Sequence, residues 1–342
     1  MLIILATFTI PIIFTIRFED GEKNVKETGG TIENIGNNEL NEENFAQNGA
    51  SLMGENYEYK RYGTVKVLHT KDNSIEEMKM DEYLLGVVSA EMPANFEEEA
   101  LKAQAVVART YTVYKIEHNQ SKHGKADICD NSACCQAWIS KDDRMARWDE
   151  DKRKSNWEKI EKAVSSTFGK VVTYNGNVID AFFHSNSGGK TEEVSNVWGG
   201  SDLPYLQSVE TSGEDAYSQY QSEATFTKEE FEKKIKEKYP EFTIDYNDEN
   251  CIKVIEYTQG DRVKTIKIGN LELSGVEVRS LLALRSANFT TQISENEIKF
   301  TVKGYGHGVG MSQTGADSMA KQGSNYEEII KHYYTGVEIT NL

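Results

Sequence analysis

The sequence predicts an α+β fold, and three observations predict it. Strand-like and helix-like stretches intermix without the regular alternation that a doubly wound sheet requires. No period of roughly 20–50 residues recurs, which excludes solenoids. Hydrophobic residues make up 38% and aromatics 10% of the 342 positions, enough for packed cores and too many for a disordered chain. At about 150 residues per domain, the length suggests two domains. Acidic residues number 55 against 38 basic, a net charge of −17. That balance argues against a nucleic-acid partner, whose phosphates need a basic face. Four cysteines and four prolines are too few for a disulfide scaffold or a Pro-rich linker protein.

The chain opens on an apolar run. Leu2 to Ile16 carries no charge and, as a helix, would reach roughly 22 Å. A bilayer core is ~30 Å thick, so the run reads as a short span or a signal-peptide core. No small-x-small cleavage site follows, and Arg17-Phe18-Glu19-Asp20 suits a retained anchor over residues 1–17. A basic segment before the run is missing, and Arg17 sits on the side to be exported. The true start is therefore expected upstream of Met1. A buried core helix is the alternative, weakened because the next stretch offers no core to join. Residues 18–60 are Asn-, Glu- and Gly-rich and cannot bury enough surface to offset their ordering entropy, so they read as a flexible linker. The remainder is then expected at the cell membrane, outside the cytoplasm.

Thr64 to His69 alternates as a strand. Asp81 to Met92 places Leu84, Val87 and Val88 at helical spacing and is stopped by Pro93. Glu97 to about His118 is a longer helix with Leu101, Ala105, Ala108, Thr112 and Lys115 on one stripe. Asn119 to Ser140 has no period, holds three of the four cysteines and reads as a loop. Trp157, Ile160 and Val164 mark a helix closed at Gly169. Val171–Tyr174 and Val178–Phe183 flank Asn175-Gly176, a strong hairpin signal. Composition shifts near Ser212. Helix Thr227–Lys238, strands Ile252–Tyr257 and Val263–Ile268, helix Gly275–Leu284 and strand Ile298–Val302 follow, then a glycine cluster and two short helices.

Four stretches carry chemistry. Glu91 continues the Leu84, Val87, Val88 stripe in the last turn of its helix. Desolvation and the helix dipole would both raise its pKa, as a general acid requires; a frayed helix end would instead tip it into water. His123-x5-Cys129-x5-Cys135 spaces one imidazole and two thiols evenly in a loop, a donor set that suits zinc and leaves a fourth position for water or substrate. Cys134 could replace Cys135, and a Cys129–Cys135 disulfide is the competing reading. Cys251 reads as a small core residue. Phe182 to Glu192 runs from a strand into a Ser/Gly turn that lacks the Gly-x-Ser-x-Gly frame of a hydrolase elbow, and hydrogen bonding to a hydroxyl-rich ligand suits it as well as mere backbone capping. Gly304 to Gln313 lacks both the phosphate-loop lysine and a Rossmann context. Its glycines would let backbone approach a bulky ligand. His307, taken alone, suits a structural role.

Together these stretches resemble the stage II sporulation protein D family, the peptidoglycan lytic transglycosylases of spore engulfment. The resemblance runs from about Lys66 to the C-terminus. It rests on Glu91-Met92-Pro93, Ala103 to Tyr111, His184 to Gly189, Val197-Trp198, Leu203 to Leu206, Gly275 to Arg279 and Gly306 to Gln313. It implies a two-lobed fold with a cleft between the lobes, residues 61–212 with 297–342 forming the catalytic lobe and 213–296 the second. It implies Glu91 as catalytic acid, with Gln104, Arg109, Ser185, Ser187, Tyr205, His307, Ser312 and Gln313 lining the cleft. It supports one structural zinc at His123, Cys129 and Cys135. Peptidoglycan glycan strands stripped of peptide by a partner amidase are the implied substrate, and stage II sporulation proteins P and M the implied partners.

A single carboxyl suits such chemistry. A hydrolysing glycosidase needs two carboxylates, whereas in a lytic transglycosylase the sugar's own 6-hydroxyl is the nucleophile. Two other readings compete: a zinc-dependent peptidoglycan amidase whose metal activates water, and a non-catalytic glycan-binding scaffold.

Overall fold

The computed structural model of the protein describes residues 62–118 and 122–342. The expected anchor and linker lie outside the described residues. Among those described, no helix is long and apolar enough to cross a membrane.

Strands β1 (Thr64–His69) and β2 (Ser74–Lys79) form an antiparallel hairpin that runs directly into helix α1 (Met80–Glu91). Helix α2 (Glu98–His118) follows. A single apolar stripe was expected on it, but every residue from Ala100 to Val113 except Lys102 is buried. The helix is therefore a central one. Its small Ala103, Ala105 and Ala108 let neighbours approach from several sides, which is why its polar side chains need internal partners. The next stretch, read as a loop, contains the two-residue strand β3 (Ile128–Cys129), parallel to β1.

Helices α3 (Lys141–Arg147) and α4 (Arg153–Ser166) lead to β4 (Lys170–Tyr174) and β5 (Asn177–Val178). Asn175 and Gly176 make the turn between them with φ of 50° and 77°, the left-handed pair a two-residue hairpin demands. The return strand stops at Val178 rather than continuing to Phe183. Asp180 turns inward to pair with Lys115 at 3.0 Å, and the chain rejoins a different sheet as β6 (Phe183–His184).

Helix α5 (Val194–Trp198) precedes a 3-10 turn at Glu214–Ala216. A second group then comprises β7 (Gln221–Thr227), α6 (Lys228–Lys236), β8 (Ile252–Tyr257), β9 (Val263–Ile268), β10 (Leu271–Ser274), α7 (Gly275–Leu282), β11 (Asn288–Ile293) and β12 (Glu297–Lys303). Helix α6 starts on a capping box between Thr227 and Glu230, which accounts for its onset one residue after the predicted one. The chain closes with β13 (Met311–Ser312), α8 (Gln313–Lys321), α9 (Tyr326–Tyr333) and β14 (Glu338–Asn341).

Buried side chains fall into two clusters. One gathers α1, α2, α4 and the C-terminal helices; the other spans Phe231 to Val302. The return to the first lobe was expected at residue 297. Strand β12 instead pairs on both sides within the second group, between β11 and β7, and contributes Ile298, Phe300 and Val302 to its core. Strand β13 then pairs with β6, bringing the glycine-rich segment and α8 back beside α2.

Candidate active site and metal centre

Helix α1 ends where Pro93 can no longer continue it, leaving Glu91 as its last residue beyond the buried Leu84, Val87 and Val88. The carboxylate is not frayed into water. The Ala137 amide donates to Oε1 at 2.7 Å and Gln313 Nε2 donates to Oε2 at 3.1 Å. Burial raises its pKa above the ordinary glutamate value, and these two donors oppose that rise without cancelling it. Glu91 remains only partly buried, so its carboxyl is within reach of a ligand.

Gly86 explains how Ala137 gets there. A Cβ at position 86 would lie 2.2 Å from Trp138 Nε1, so only glycine lets this loop cross α1 about a turn before Glu91. The Gln313 amide also stands 3.4 Å from Gln104 Oε1, so Glu91, Gln104 and Gln313 meet although they come from three helices.

The loop that supplies Ala137 also carries the cysteines. All four cysteines are free thiols, so the Cys129–Cys135 disulfide is not formed. His123, Cys129, Cys134 and Cys135 bring their donor atoms within 4.8 Å of one another. His123 Nε2 is 3.2 Å from Cys135 Sγ and 3.8 Å from Cys134 Sγ. Zinc bonds of ~2.3 Å to sulfur and ~2.0 Å to nitrogen give tetrahedral edges of roughly 3.5–3.8 Å, so this donor set fits such an ion. The spacing argument expected three ligands and an open fourth position; the structure puts Cys134 at the fourth corner. Both neighbouring thiols turn inward because the Cys134 and Cys135 amides donate to the same Asn131 carbonyl, a tight helical turn. A cavity of 390 Å³ adjoins the cluster, lined among others by Lys115, His118 and Lys122.

Other residues expected in the cleft hold the frame behind it. Ser187 and Ser312 are fully buried and donate to Glu214, Ser187 at 2.5 Å. Glu214, only 1% exposed, also accepts from the Ser187 and Gly189 amides and from Thr211 and Thr314. No sequence signal marked it, because its partners come from three separated stretches. Ser185 is partly exposed, and its carbonyl accepts from the Thr314 amide. The Tyr205 hydroxyl accepts from the Asp180 amide at 3.2 Å, near the Lys115 pair rather than at Glu91.

Arg109 is a correction. Its side chain is fully buried, and its guanidinium donates to the carbonyls of Val164, Thr167 and Lys170 and to Asp81. Asp81 opens α1 and Glu91 closes it, which separates the two by about 15 Å of helix. Arg109 caps the C-terminal end of α4 and does not line a cleft.

His307 lies beside the aromatic rings of Phe182, His184 and Trp198. Its Nδ1 accepts from the Val309 amide, and the Phe183 carbonyl accepts from the ring, which sets its tautomer. Burial and nearby Arg262 and Arg279 hold its pKa well below the ordinary value, so the ring is neutral.

The family model described as SpoIID, stage II sporulation protein, matches residues 69–174, a span that includes Glu91 and the whole cysteine loop. The stage II sporulation protein D of Bacillus amyloliquefaciens is 37% identical over 279 residues, covering 81% of this chain and 78% of that protein. Its counterpart in Bacillus subtilis strain 168 is 37% identical over the same length, covering 81% and 79%. A Bacillus subtilis protein named amidase enhancer is 30% identical over 306 residues, covering 75% of this chain and 40% of that one. With this likeness running through both the site and the two cores, the chain belongs to the stage II sporulation protein D family.

Proposed function

We propose that the protein is a lytic transglycosylase that cuts peptidoglycan glycan strands during sporulation, with Glu91 as its one acid–base group. The observation that carries this reading is a single carboxyl whose pKa burial raises and which is still partly exposed to a ligand. Glu214, the carboxylate reached through the neighbouring Ser312, is sealed and saturated with donors, so it is no candidate for the second carboxylate of a hydrolase.

The steps follow from that geometry. Protonated Glu91 gives its proton to the glycosidic oxygen between N-acetylmuramic acid and N-acetylglucosamine as the C1–O bond breaks. The carboxylate left behind is stabilised by the Ala137 amide and Gln313. It then removes the proton of the muramic acid 6-hydroxyl as that oxygen bonds to C1, giving a 1,6-anhydro end and regenerating the acid. Nucleophile and electrophile belong to one sugar, so much of the entropic barrier is met by the substrate.

Zinc at His123, Cys129, Cys134 and Cys135 would be structural, since four protein donors leave no corner for an activated water. That closure weighs against a zinc amidase. Strands already stripped by an amidase, action alongside stage II sporulation proteins P and M, and tethering at the membrane outside the cytoplasm belong to the same reading; the relative named amidase enhancer is consistent with it. Mass spectrometry of products from purified, peptide-free glycan tests it. Anhydro-ended fragments are expected; reducing ends, or no cleavage, would overturn the proposal.

A further inference from the structure

Trp198 is the feature that the chemistry above leaves unused. Large aromatic side chains usually bury most of their surface, yet Trp198 is 51% exposed. It is nevertheless not loose. Its ring lies 4.7 Å from that of Phe182 and 5.0 Å from that of His307, so two rings hold it while about half of its surface meets solvent.

The short helix that ends on it is pinned through two adjacent residues. Asn196 Nδ2 donates to the buried Glu192 at 2.9 Å, and the Ser195 amide donates to Asp202 at 3.1 Å. The neutral His307, fixed between the Val309 amide and the Phe183 carbonyl, adds no charge under the indole. The result is a rigid, flat, uncharged aromatic face on a protein surface that is otherwise strongly acidic.

The platform shares its backbone wall with the side chain that donates to Glu91. Phe182 precedes β6, which pairs with β13 through Phe183 and Met311; the residue after β13 is Gln313, the donor to Glu91. Tyr111 of α2 bridges the same wall, packing on both Phe182 and Phe183.

We infer that Trp198 is a sugar-stacking subsite, on which a pyranose ring of the glycan chain lays its apolar C–H face. The assignment rests on the glycan reading above and extends it to a second contact point, away from the bond that breaks. A flat indole of about one ring's size suits the apolar face of a hexosamine, leaving the sugar's hydroxyls at the edges. A partner protein would want a wider apolar area than one indole.

The test separates binding from cleavage. In a Glu91→Gln background, titration calorimetry with a purified N-acetylglucosamine hexamer measures affinity without turnover. Trp198→Ala is expected to weaken binding about tenfold, as loss of a buried aromatic anchor does, while Trp198→Phe keeps most of the affinity. Unchanged thermal unfolding of both variants checks the fold, as expected for a half-exposed side chain. Equal affinity of Trp198→Ala and its parent, or a parent that does not bind the hexamer, would overturn the platform. A parent that binds through Trp198, in a protein whose Glu91 form cuts nothing, would overturn the reaction and leave the subsite standing.

Discussion

Gln313 Nε2 lies 3.1 Å from Glu91 Oε2, and this amide is one of two donors that oppose the desolvation of the acid. Removing it should therefore push the Glu91 pKa further up. Gln313→Leu is expected to move the alkaline limb of the pH–rate profile to higher pH, because the acid keeps its proton longer. It should also lower the maximal rate about 10–100-fold, since the carboxylate formed in the first step loses a charge-assisted hydrogen bond. Steady-state rates across pH on peptide-free glycan measure both. A limb that stays in place would mean Gln313 does not tune the acid.

Glu91→Gln should keep the fold and lose cleavage by at least ~10²–10⁴, the usual cost of removing a general acid or base. Its stability has a direction too. The folded-state pKa of Glu91 is raised, so its stabilising contribution is complete below the ordinary glutamate pKa and is lost as pH rises through the raised value. At neutral pH the glutamine variant is therefore expected to melt higher than the parent, with the difference shrinking toward acid pH. Melting curves at several pH values decide it.

One zinc per chain is expected by elemental analysis of the reduced protein. Cys134→Ser should lower that content as sharply as Cys129→Ser, because both thiols occupy corners of the cluster. Chelation should lower the melting temperature and slow cleavage together, since Ala137 follows Cys135 by two residues and donates to Glu91. Full zinc content in Cys134→Ser would return the site to three protein ligands.

Arg109→Met should act on stability and spare recognition. It leaves the carbonyls of Val164, Thr167 and Lys170 and the carboxylate of Asp81 without their buried donor, at a cost of about 3–5 kcal/mol. Chemical denaturation reads that loss. Affinity of the still-folded fraction for an N-acetylglucosamine hexamer should be unchanged; weakened binding would put Arg109 back in the cleft.

These cases show what was legible in the chain. Strands β8 and β9 were predicted to the residue, each a short run rich in β-branched residues. Glu91 was legible because an apolar stripe led to it and a proline ended its helix. Arg109 was placed in the cleft by the resemblance alone, and the carbonyls that occupy it could not be read from the chain because they come from a helix end more than fifty residues away. Glu214 was illegible for a related reason: two of its six donors, Ser312 and Thr314, arrive only when β13 returns beside β6. Cys134 was read as an alternative to Cys135 and not as a donor beside it, because even spacing describes an extended loop, whereas the turn at Asn131 folds adjacent thiols to one side.

The return of the glycine-rich segment has a bearing on when this protein can act. Glu91 and Gln313 are separated by 222 positions, and the whole second core is synthesised between them. Contacts of such separation form late in folding, after long loops have closed. A chain still emerging from its ribosome or crossing a membrane thus carries its acid without the amide that tunes it. On the function proposed above, catalytic competence would arrive with the last thirty residues, so synthesis itself would serve as a timer.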